Sequence, residues 1–542
     1  MTALQALPSH PHPWSSLLTR GDVAVDDGVF RLRHVDMTPA QALESDLLLV
    51  ADALDAAGIA TTLIRHGRAF PALVVDAADR GAVVGVLRAL GEHEPLYAKP
   101  AGAPVALAAD LELPAADAAS DGTRSIRLFR PRISGSGSLR YDKDCAFALE
   151  FWRRDGDLVH APRANALTRR TFPADDVRPA TTHRYGRSWP TLEGMWDPQP
   201  DEVTDEIDLV FSWVDGSSSE FQRQRAAQMA GYVVGEGDES AARYRHVDEL
   251  RYALRSVHMY APWVRRIFIA TDSPRPAWLA DDPRVTLVRS EEFFADPAVL
   301  PTHNSHAIEA QLHRIEGLAE RFLYSNDDMF FARPVDPELF FTAGGVSKFV
   351  ECPIRIGTGA PQPHRSGHDN ALRVNRALLH ERFGRTILRD LEHCATPLRR
   401  SVLTELEREF PDDFARTAAS RFRAATDISV TNSLYHYYAL MTGRAVVSTE
   451  ARVRYVQSTL AASLRQMRRL EKRRDVDMFC LNDGGSSEVP EELRIRTVRD
   501  TLERMFPIPA PWELPEAGFG TDAGVSAGQA PDASAERIGA PR

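Results

Sequence analysis

The chain has 542 residues, more than one ordinary hydrophobic core supports, so we expect two to four domains. Its 65 basic and 76 acidic residues give a net charge of -11, which argues against sequence-independent nucleic-acid binding over most of the surface. The composition, 43% hydrophobic and 26% charged, is typical of a soluble globular protein, and there is no uninterrupted apolar stretch of about 18 residues that would predict a transmembrane helix.

The N-terminal region shows short helical and strand patterns that carry no motif with assignable chemistry. Residues 1–122 alternate helical and strand patterns and predict a small α/β module that ends in an Ala/Asp-rich linker at Leu113–Gly122. Residues 123–200 predict a β-rich module and linker, because Ser125–Phe151 is typical of strands around a Gly/Ser turn. The first 16 residues show no basic stretch followed by an apolar core, so we expect no signal peptide.

The region from Asp205 alternates strands with helices, which predicts an α/β fold with a mainly parallel sheet flanked by helices. We expect a helical second half from Phe341 to Phe506, and a disordered tail over residues 513–542 because that segment has almost no large apolar residue. The predicted elements are strand 207–212, a helix after it, helix 247–260, strand 266–271, helix 305–315 and a strand that begins at Phe322.

The apolar run from Phe322 ends in Asn326, Asp327 and Asp328, which is the most informative motif in the chain. A run of this kind predicts a buried strand, and ligands of open α/β sheets bind at the carboxyl ends of strands. Adjacent carboxylates there are suited to a hard divalent cation that also contacts phosphate oxygens. The alternative is an ordinary Asx turn that closes the strand.

A second apolar run, Ile207–Ser212, leads into Trp213 and Asp215 and predicts that Asp215 lies at the same kind of sheet edge. Trp213 is a candidate for stacking on a base or a sugar, although an Asp-Gly pair is equally typical of a turn. Farther on, Asn304, Ser305 and His306 begin a predicted helix. They are typical helix N-caps, but such an N-terminus also offers free N–H groups to phosphate.

Several polar residues of the second half fit phosphoryl transfer, which needs cations on the phosphate oxygens and a proton acceptor. Arg373 and Arg423 are candidates for the cations and His393 for the acceptor, although each is individually more typical of a surface or capping position. Arg251 lies on a helix whose polar residues are most simply a solvated face. His364 and His368 are rejected as a metal site because flanking Pro and Gly residues predict no helix there.

Taken together and in this order, these segments resemble the Stealth family, in particular its bacterial exopolysaccharide or capsular polysaccharide phosphotransferases. The same family includes the catalytic subunit of the eukaryotic N-acetylglucosamine-1-phosphotransferase. Ile207–Gly216 is similar to the first conserved region of the family, Arg243–Phe331 to the second, Asp369–Asp427 to the third and Cys480–Asp483 to the fourth. The resemblance covers residues 205–512, which we expect to be the catalytic region.

The resemblance implies a nucleotide-sugar transferase that moves a hexose 1-phosphate, such as N-acetylhexosamine 1-phosphate, from an NDP-sugar (a UDP-sugar is expected) to a glycan hydroxyl. It implies a Mg²⁺ or Mn²⁺ cofactor bound by Asp215, Asp327 and Asp328. Asp328, Arg373, His393 and Arg423 are the expected catalytic residues. The expected substrate-binding residues are Trp213, Asp215, Arg251, Asn304, Ser305, His306, Asn326, Asp427, Asn482 and Asp483.

Two other functions remain open at this point: a metal-dependent glycosyltransferase that releases a nucleoside diphosphate, and a non-catalytic polysaccharide-binding protein. The four cysteines are far apart and form no Cys-x-x-Cys pair, which predicts reduced thiols and a cytoplasmic location. Peripheral association with polysaccharide-export machinery at the inner face of the plasma membrane is compatible with these features.

Overall fold

The computed structural model describes residues 12–34, 36–68, 70–113, 125–216, 223, 247–483 and 487–515. Most of the expected linker at Leu113–Gly122, the helix expected after Ser212 and the tail from residue 516 lie outside the described residues. Within the described ranges, no helix is both long enough and apolar enough to cross a membrane.

The N-terminal region combines two helices with short strands. The helices are α1 (Pro39–Ala56) and α2 (Arg80–His93). The strands are β1 (Val23–Asp26), β2 (Val29–His34), β3 (Thr62–His66), β4 (Phe70–Asp76), β5 (Tyr97–Pro100), β6 (Ala106–Leu107), β7 (Ser125–Phe129), β8 (Arg132–Ser134), β9 (Arg140–Tyr141), β10 (Phe147–Asp155), β11 (Leu158–His160), β12 (Thr171–Pro173), β13 (Pro179–Arg184) and β14 (Arg187–Leu192).

One sheet of this region contains strands from both expected N-terminal modules. Strand β4 pairs in parallel with β10, and β10 pairs antiparallel with β7. The helices α1 and α2 contribute Leu54 and Leu87 to the core beneath this sheet, where they join Phe147 and Phe151. The expected boundary at residue 122 therefore falls within one layered α/β unit and does not separate two sheets.

The second region begins at β15 and contains the motifs singled out in the sequence. Its helices are α3 (Glu249–Tyr260), α4 (Ser290–Phe293), α5 (Ser305–Glu309), α6 (Gly367–Phe383), α7 (Arg400–Glu409), α8 (Pro411–Ala419), α9 (Tyr435–Met441), α10 (Ala461–Arg473) and α11 (Glu491–Met505). Its strands are β15 (Ile207–Ser212), β16 (Ile267–Ala270), β17 (Val285–Val288), β18 (Arg321–Asn326), β19 (Met329–Phe331), β20 (Ser347–Phe349), β21 (Glu351–Arg355), β22 (Arg389–Leu391), β23 (Thr396–Arg399), β24 (Ala445–Val447), β25 (Val453–Gln457) and β26 (Met478–Asn482).

The central sheet has the strand order β17-β16-β15-β18-β23. The first four strands are parallel and β23 is antiparallel to β18, so the sheet is mainly parallel, as predicted. Both faces are covered: Leu209 and Leu323 pack in one hydrophobic cluster, whereas Val210 and Phe322 pack in another. Burial on both faces explains why the centres of β15 and β18, Leu209–Phe211 and Phe322–Tyr324, are continuous apolar runs in the sequence.

The second half is richer in helix than in strand, as expected, but it also contains strands that were not predicted. Strands β20 to β26 all lie between Ser347 and Asn482, and β26 pairs antiparallel with β19 beside the Asn-Asp-Asp motif. These strands have three to five residues, too few for a clear alternating pattern, and β23 contains Pro397, which is tolerated because β23 is an edge strand. The helix expected over Ser305–Ile315 ends at Glu309, and a 3₁₀ turn over Leu312–Arg314 follows.

Candidate active site

The parallel pairing of β15 with β18 brings the two acidic motifs to the same edge of the sheet. Ser212 lies opposite Asn326 in the register. Asp215 follows the first of these residues by three positions, and Asp327 and Asp328 follow the second directly. All three carboxylates therefore lie beyond the carboxyl ends of adjacent parallel strands, where ligands bind in sheets of this kind.

Asp328 carries the clearest sign of a ligand site among these carboxylates. Its Oδ2 accepts a hydrogen bond from Cys480 Sγ at 3.4 Å, whereas its buried Oδ1 has no hydrogen-bond partner among the described residues. Burial, together with smaller contributions from the nearby carboxylates of Glu249 and Asp483, raises the pKa of Asp328 to about 6. An unpartnered buried oxygen in a negative field is suited to a cation.

The strand β26 brings the fourth motif alongside Asp328. The backbone N–H of Leu481 donates to the carbonyl of Asp328 at 2.9 Å. Asp483 accepts a hydrogen bond from Ser458 Oγ and lies 3.8 Å from Nη1 of the buried Arg494. Asn482 accepts a hydrogen bond at its backbone carbonyl from Ser458. These contacts place Asp328 and Asp483 in one acidic cluster.

The residues present fit a divalent cation only in part. No three His, Cys, Asp or Glu side chains in the described ranges are grouped closely enough to form a complete metal site. Mg²⁺, however, usually takes only one or two protein carboxylates and fills its other positions with water and substrate phosphates. The hard, unpartnered Oδ1 of Asp328 meets that requirement.

A second group of predicted residues meets at the start of α5. Asn304 caps this helix, because its Oδ1 accepts from the N–H of His306 at 3.1 Å. Its Nδ2 donates to Asp427 Oδ2 at 2.8 Å, and Arg423 Nη2 donates to Ser305 Oγ at 2.8 Å. Burial raises the pKa of the Asp427 carboxyl group. The sequence-predicted Asn304, Ser305, Arg423 and Asp427 are therefore one connected cluster.

Glu309, at the end of α5, belongs to this cluster and was missed from the sequence. It is 2% exposed; its Oε2 accepts from Thr431 Oγ1 at 2.7 Å and its Oε1 from the hydroxyl of Tyr324 at 3.3 Å. Tyr324 also donates to Oδ1 of Asn326 at 2.8 Å. Burial raises the pKa of Glu309, and the positive charge of Arg423 opposes that shift. This network links the Arg423 cluster to the end of β18.

His393 lies in a third group, two residues after β22. Its ring centroid is 6.2 Å from that of His368 and 5.1 Å from that of Tyr455. His368, which lies on α6 and not in the non-helical segment that we expected, is 2.8 Å from Asp390 through its Nε2. Burial lowers the pKa of His393 to about 4, with smaller contributions from the charges of His368 and Arg423.

Arg373 lies on α6 with its donors engaged inside the protein. Its Nη1 donates to the carbonyl of Asp369 at 2.9 Å, its Nε donates to the carbonyl of Thr358 at 3.3 Å, and it pairs with the Asp369 carboxylate. The side chain is 4% exposed, and Gly357 gives it room, since a Cβ there would lie 2.0 Å from Nη2. In this arrangement Arg373 fastens the 357–358 segment to α6.

Trp213 and Arg251 also lie inside the protein. Trp213 is 6% exposed and packs in the hydrophobic cluster that contains Leu209. Arg251 Nε donates to Glu513 Oε2 at 2.6 Å, and Arg255 Nε donates to the other oxygen of the same carboxylate at 2.6 Å. The structure therefore connects Arg251 to the C-terminal segment near Glu513.

This arrangement predicts that the Glu513 carboxylate stabilises the folded protein. Glu513→Gln removes the charge that two largely buried arginines share, so we expect a loss of about 3 kcal/mol in the free energy of unfolding and a lower Tm. Asp281→Asn, in the exposed pair with Arg275, is the control and should leave Tm nearly unchanged. An Arg251→Gln variant with unchanged Tm but a tenfold higher KM for the donor would instead support the substrate-binding role predicted from the sequence.

A cavity of about 610 Å³ lies away from these clusters. It is lined by Arg68 and Asp201 of the N-terminal region and by residues near Asp336, Phe341 and Lys348. None of the sequence-predicted site residues is among the described residues that line it. Its size therefore does not identify it as the place of the chemistry.

Four segments of the chain match the conserved regions of the Stealth proteins: region 1 over residues 205–233, region 2 over 243–349, region 3 over 392–440 and region 4 over 468–521. A curated exopolysaccharide phosphotransferase, CpsY of Mycobacterium tuberculosis, is 52% identical over 481 residues, covering 88% of this chain and 89% of that protein. The chain belongs to the Stealth family.

Other similar proteins are consistent with this membership. An exopolysaccharide phosphotransferase of Nocardia farcinica is 60% identical over 69% of this chain and 74% of its own length. Another from Streptomyces coelicolor, SCO6023, is 39% identical over 89% of this chain and 84% of its own length. A solved galactosyltransferase, LgtC, aligns with 57% of this chain and 98% of its own at 11% identity, but the TM-score of 0.31 is too low to establish a shared fold.

The Stealth matches refine one expectation from the sequence. The third conserved region begins at residue 392, so Asp369 and Arg373, which we expected within it, lie outside the match. His393, Arg423 and Asp427 lie inside it. The first and second regions include Asp215, Asp327 and Asp328, as expected.

Proposed function

We propose that this Stealth protein transfers a sugar 1-phosphate from an NDP-sugar to a hydroxyl group of a glycan during exopolysaccharide synthesis. The proposal rests mainly on Asp328, whose unpartnered buried oxygen lies at the carboxyl end of β18 in the acidic cluster. The three curated relatives described above are each named exopolysaccharide phosphotransferase and support this class of transferase. An N-acetylhexosamine carried by UDP is the proposed donor.

In this proposal Asp328, with Asp327 or Asp215, would hold Mg²⁺ or Mn²⁺. Such an ion supplies charge neutralisation for the diphosphate and for the leaving nucleoside monophosphate. Asn326 ends β18, and Asn482 and Asp483 lie at the end of β26 beside Asp328. In this proposal their side chains bind the donor or order water around it. Because the protein supplies few ligands, substrate and metal would bind together.

Arg423 is the proposed contact to the phosphoryl oxygens. It lies next to Ser305 and within electrostatic reach of both Glu309 and His393, so it connects the buried network to the proton acceptor. A planar guanidinium can bind two phosphate oxygens at once, which an ammonium group cannot do with the same geometry. Arg373 supports this site by fixing α6, whose first residue, Gly367, would place a Cβ 2.6 Å from the Cβ of Arg423.

His393 is the proposed acceptor of the proton from the glycan hydroxyl. The hydroxyl oxygen forms a bond to the β-phosphorus, the bond to the nucleoside monophosphate breaks, and the hydroxyl proton moves to the imidazole ring. A low pKa keeps this ring neutral, and therefore able to accept a proton, throughout the neutral pH range. The negative charge of bound phosphate stabilises the imidazolium that forms.

The lowered pKa of His393 predicts the acid limb of the pH profile. Because the folded enzyme keeps this ring neutral down to about pH 4, kcat/KM should not fall near pH 6.5 through His393 but only below about pH 5. The same pKa shift predicts how stability depends on pH. The unfolded chain binds this proton more tightly than the folded chain, so the free energy of unfolding should decrease as pH falls from about 6.5 toward 4. A fall in kcat/KM near pH 6 is expected from Asp328, whose pKa is about 6, and should persist in a His393→Gln variant. That variant should lack only the limb below about pH 5, and loss of a limb centred at 6.5 in the variant would contradict the assignment.

The leaving nucleotide tests the proposed reaction. The purified protein is incubated with Mg²⁺ or Mn²⁺, a panel of NDP-sugars and short glycan acceptors, and the products are identified by mass. A nucleoside monophosphate together with a phosphodiester in the glycan is the expected result. A nucleoside diphosphate and a glycosidic bond would instead establish a metal-dependent glycosyltransferase, and glycan binding without turnover would establish a polysaccharide-binding protein.

A further inference from the structure

The helix α10 presents an unusual concentration of positive charge on a chain whose net charge is -11. Its buried residues, Ser463, Met467 and Leu470, face the core, and the one acidic residue of the helix, Glu471, lies 3.5 Å from Arg504 on α11. At about 100° per residue, the exposed cations cover a continuous arc of about 140° on the opposite side of the helix. They are Arg465, Arg468, Arg469, Lys472 and Arg473, which we call the α10 basic face.

The α10 basic face has no counter-charge among the described residues. None of its five cations lies within 4.0 Å of a carboxylate there, whereas many other surface arginines, Arg382 with Glu409 and Arg444 with Glu405 among them, are paired. Five like charges on neighbouring turns repel one another and destabilise an isolated helix. A surface of this kind is most simply explained by an anionic partner outside the chain.

We propose that the α10 basic face docks the protein on an anionic membrane surface. Clusters of four to eight Lys and Arg residues on an amphipathic helix are typical of binding to anionic lipids. The apolar side of α10 is already packed in the core through Met467 and Leu470, so contact occurs at the level of the headgroups without insertion. A convex helix surface fits a flat bilayer better than a single polysaccharide chain, which binds in grooves.

The position of α10 in the chain relates this docking to the candidate active site. The helix connects the parallel strands β25 and β26, whose carboxyl ends lie beside Asp483. Its first residue, Ala461, follows the end of β25 by only four residues, so α10 begins at the active-site edge of the sheet. Docking through α10 would hold that edge close to the membrane surface.

Vesicle binding tests this proposal without relying on the catalytic activity. The full-length protein is sedimented with phosphatidylcholine vesicles that contain or lack phosphatidylglycerol, with and without added salt. We expect binding only to the anionic vesicles and a steep loss at high salt. The triple variant Arg465→Gln, Arg468→Gln, Arg469→Gln should lower the partition coefficient about a hundredfold, since each charge contributes roughly fivefold.

A matched control removes three exposed cations that lie elsewhere and have no ion pair among the described residues. The variant Arg33→Gln, Arg385→Gln, Arg408→Gln carries the same change in net charge and should bind almost as well as the parent. Equal losses of vesicle binding in the two variants would show that net charge alone causes the binding and would overturn the proposal. So would binding of a soluble polyanion such as heparin without binding to anionic vesicles, because the partner would then be a polymer. Unchanged melting temperatures exclude unfolding as the cause.

Discussion

Replacing Asp328 with Asn is expected to lower kcat/KM about a thousandfold or more, equivalent to roughly 4 kcal/mol of transition-state stabilisation. The amide keeps the shape of the side chain and can still accept from Cys480 Sγ, but it removes the negative charge from the oxygen that has no partner among the described residues. The loss is measured as the rate of nucleoside monophosphate release at saturating metal. Isothermal titration with Mn²⁺ in the presence of the donor should show weakened metal binding in the same variant.

Asp336→Asn provides the matched control for this substitution. Burial raises the pKa of Asp336 as it does that of Asp328, but Asp336 lines the separate cavity near Lys348 and has no predicted role in the chemistry. The control should retain activity within about threefold, on the scale where tenfold corresponds to 1.36 kcal/mol. A residual rate within tenfold of the parent for Asp328→Asn would remove this residue from the metal site.

Replacing Arg423 with Gln is expected to lower kcat by about a hundredfold to a thousandfold, which is the usual cost of removing a preorganised donor to a transition-state oxygen. The kcat of Arg423→Lys should lie between those of Arg423→Gln and the parent, because lysine keeps the charge but lacks the planar pair of donors. The change should appear mainly in kcat and less in KM. Arg416→Gln, on the exposed side of α8 beside Asp413, is the control and should leave both constants near the parent values.

The buried network around Arg423 makes a stability measurement necessary beside the kinetics. Glu309 is buried, and the charge of Arg423 favours its ionised form, so removing that charge raises the pKa of Glu309 further. Equal melting temperatures of the Gln and Lys variants, with different rates, would assign the effect to the reaction. An Arg423→Lys variant with the kcat of the parent would show that charge alone matters and would contradict bidentate contact.

The sequence predicted those parts of the fold that are encoded by long, regular patterns. The strands β15 and β18 were predictable because both of their faces are buried and their central residues, Leu209–Phe211 and Phe322–Tyr324, are apolar. The pairing of β26 with β19 was not, because a five-residue strand such as Met478–Asn482 contains no information about a partner about 150 residues away. Tertiary contacts determine such pairings.

The residues of the candidate site likewise include some that the sequence predicted and some that only the fold reveals. Asp328, Asn304 and Arg423 stood out because each lies at the end of a recognisable strand or helix or in a conserved segment. Glu309 did not, since a glutamate on a short helix is indistinguishable in sequence from a solvated one, and only the fold places Thr431 of a π-helical turn and Tyr324 on its two oxygens. Arg373 is the converse case. The sequence made it a candidate phosphate ligand, but in the fold it donates to the carbonyls of Asp369 and Thr358.

The segment around Trp512 has a consequence for how the protein is made. Trp512 is fully buried, the carbonyl of Trp512 accepts from Ala280, and the N–H of Leu514 donates to the carbonyl of Trp278. The core that supports β15 therefore lacks one of its largest side chains until residues 213–512 have also been synthesised. Over that interval the nascent chain exposes an incomplete hydrophobic core, which is the kind of aggregation-prone surface that chaperones bind.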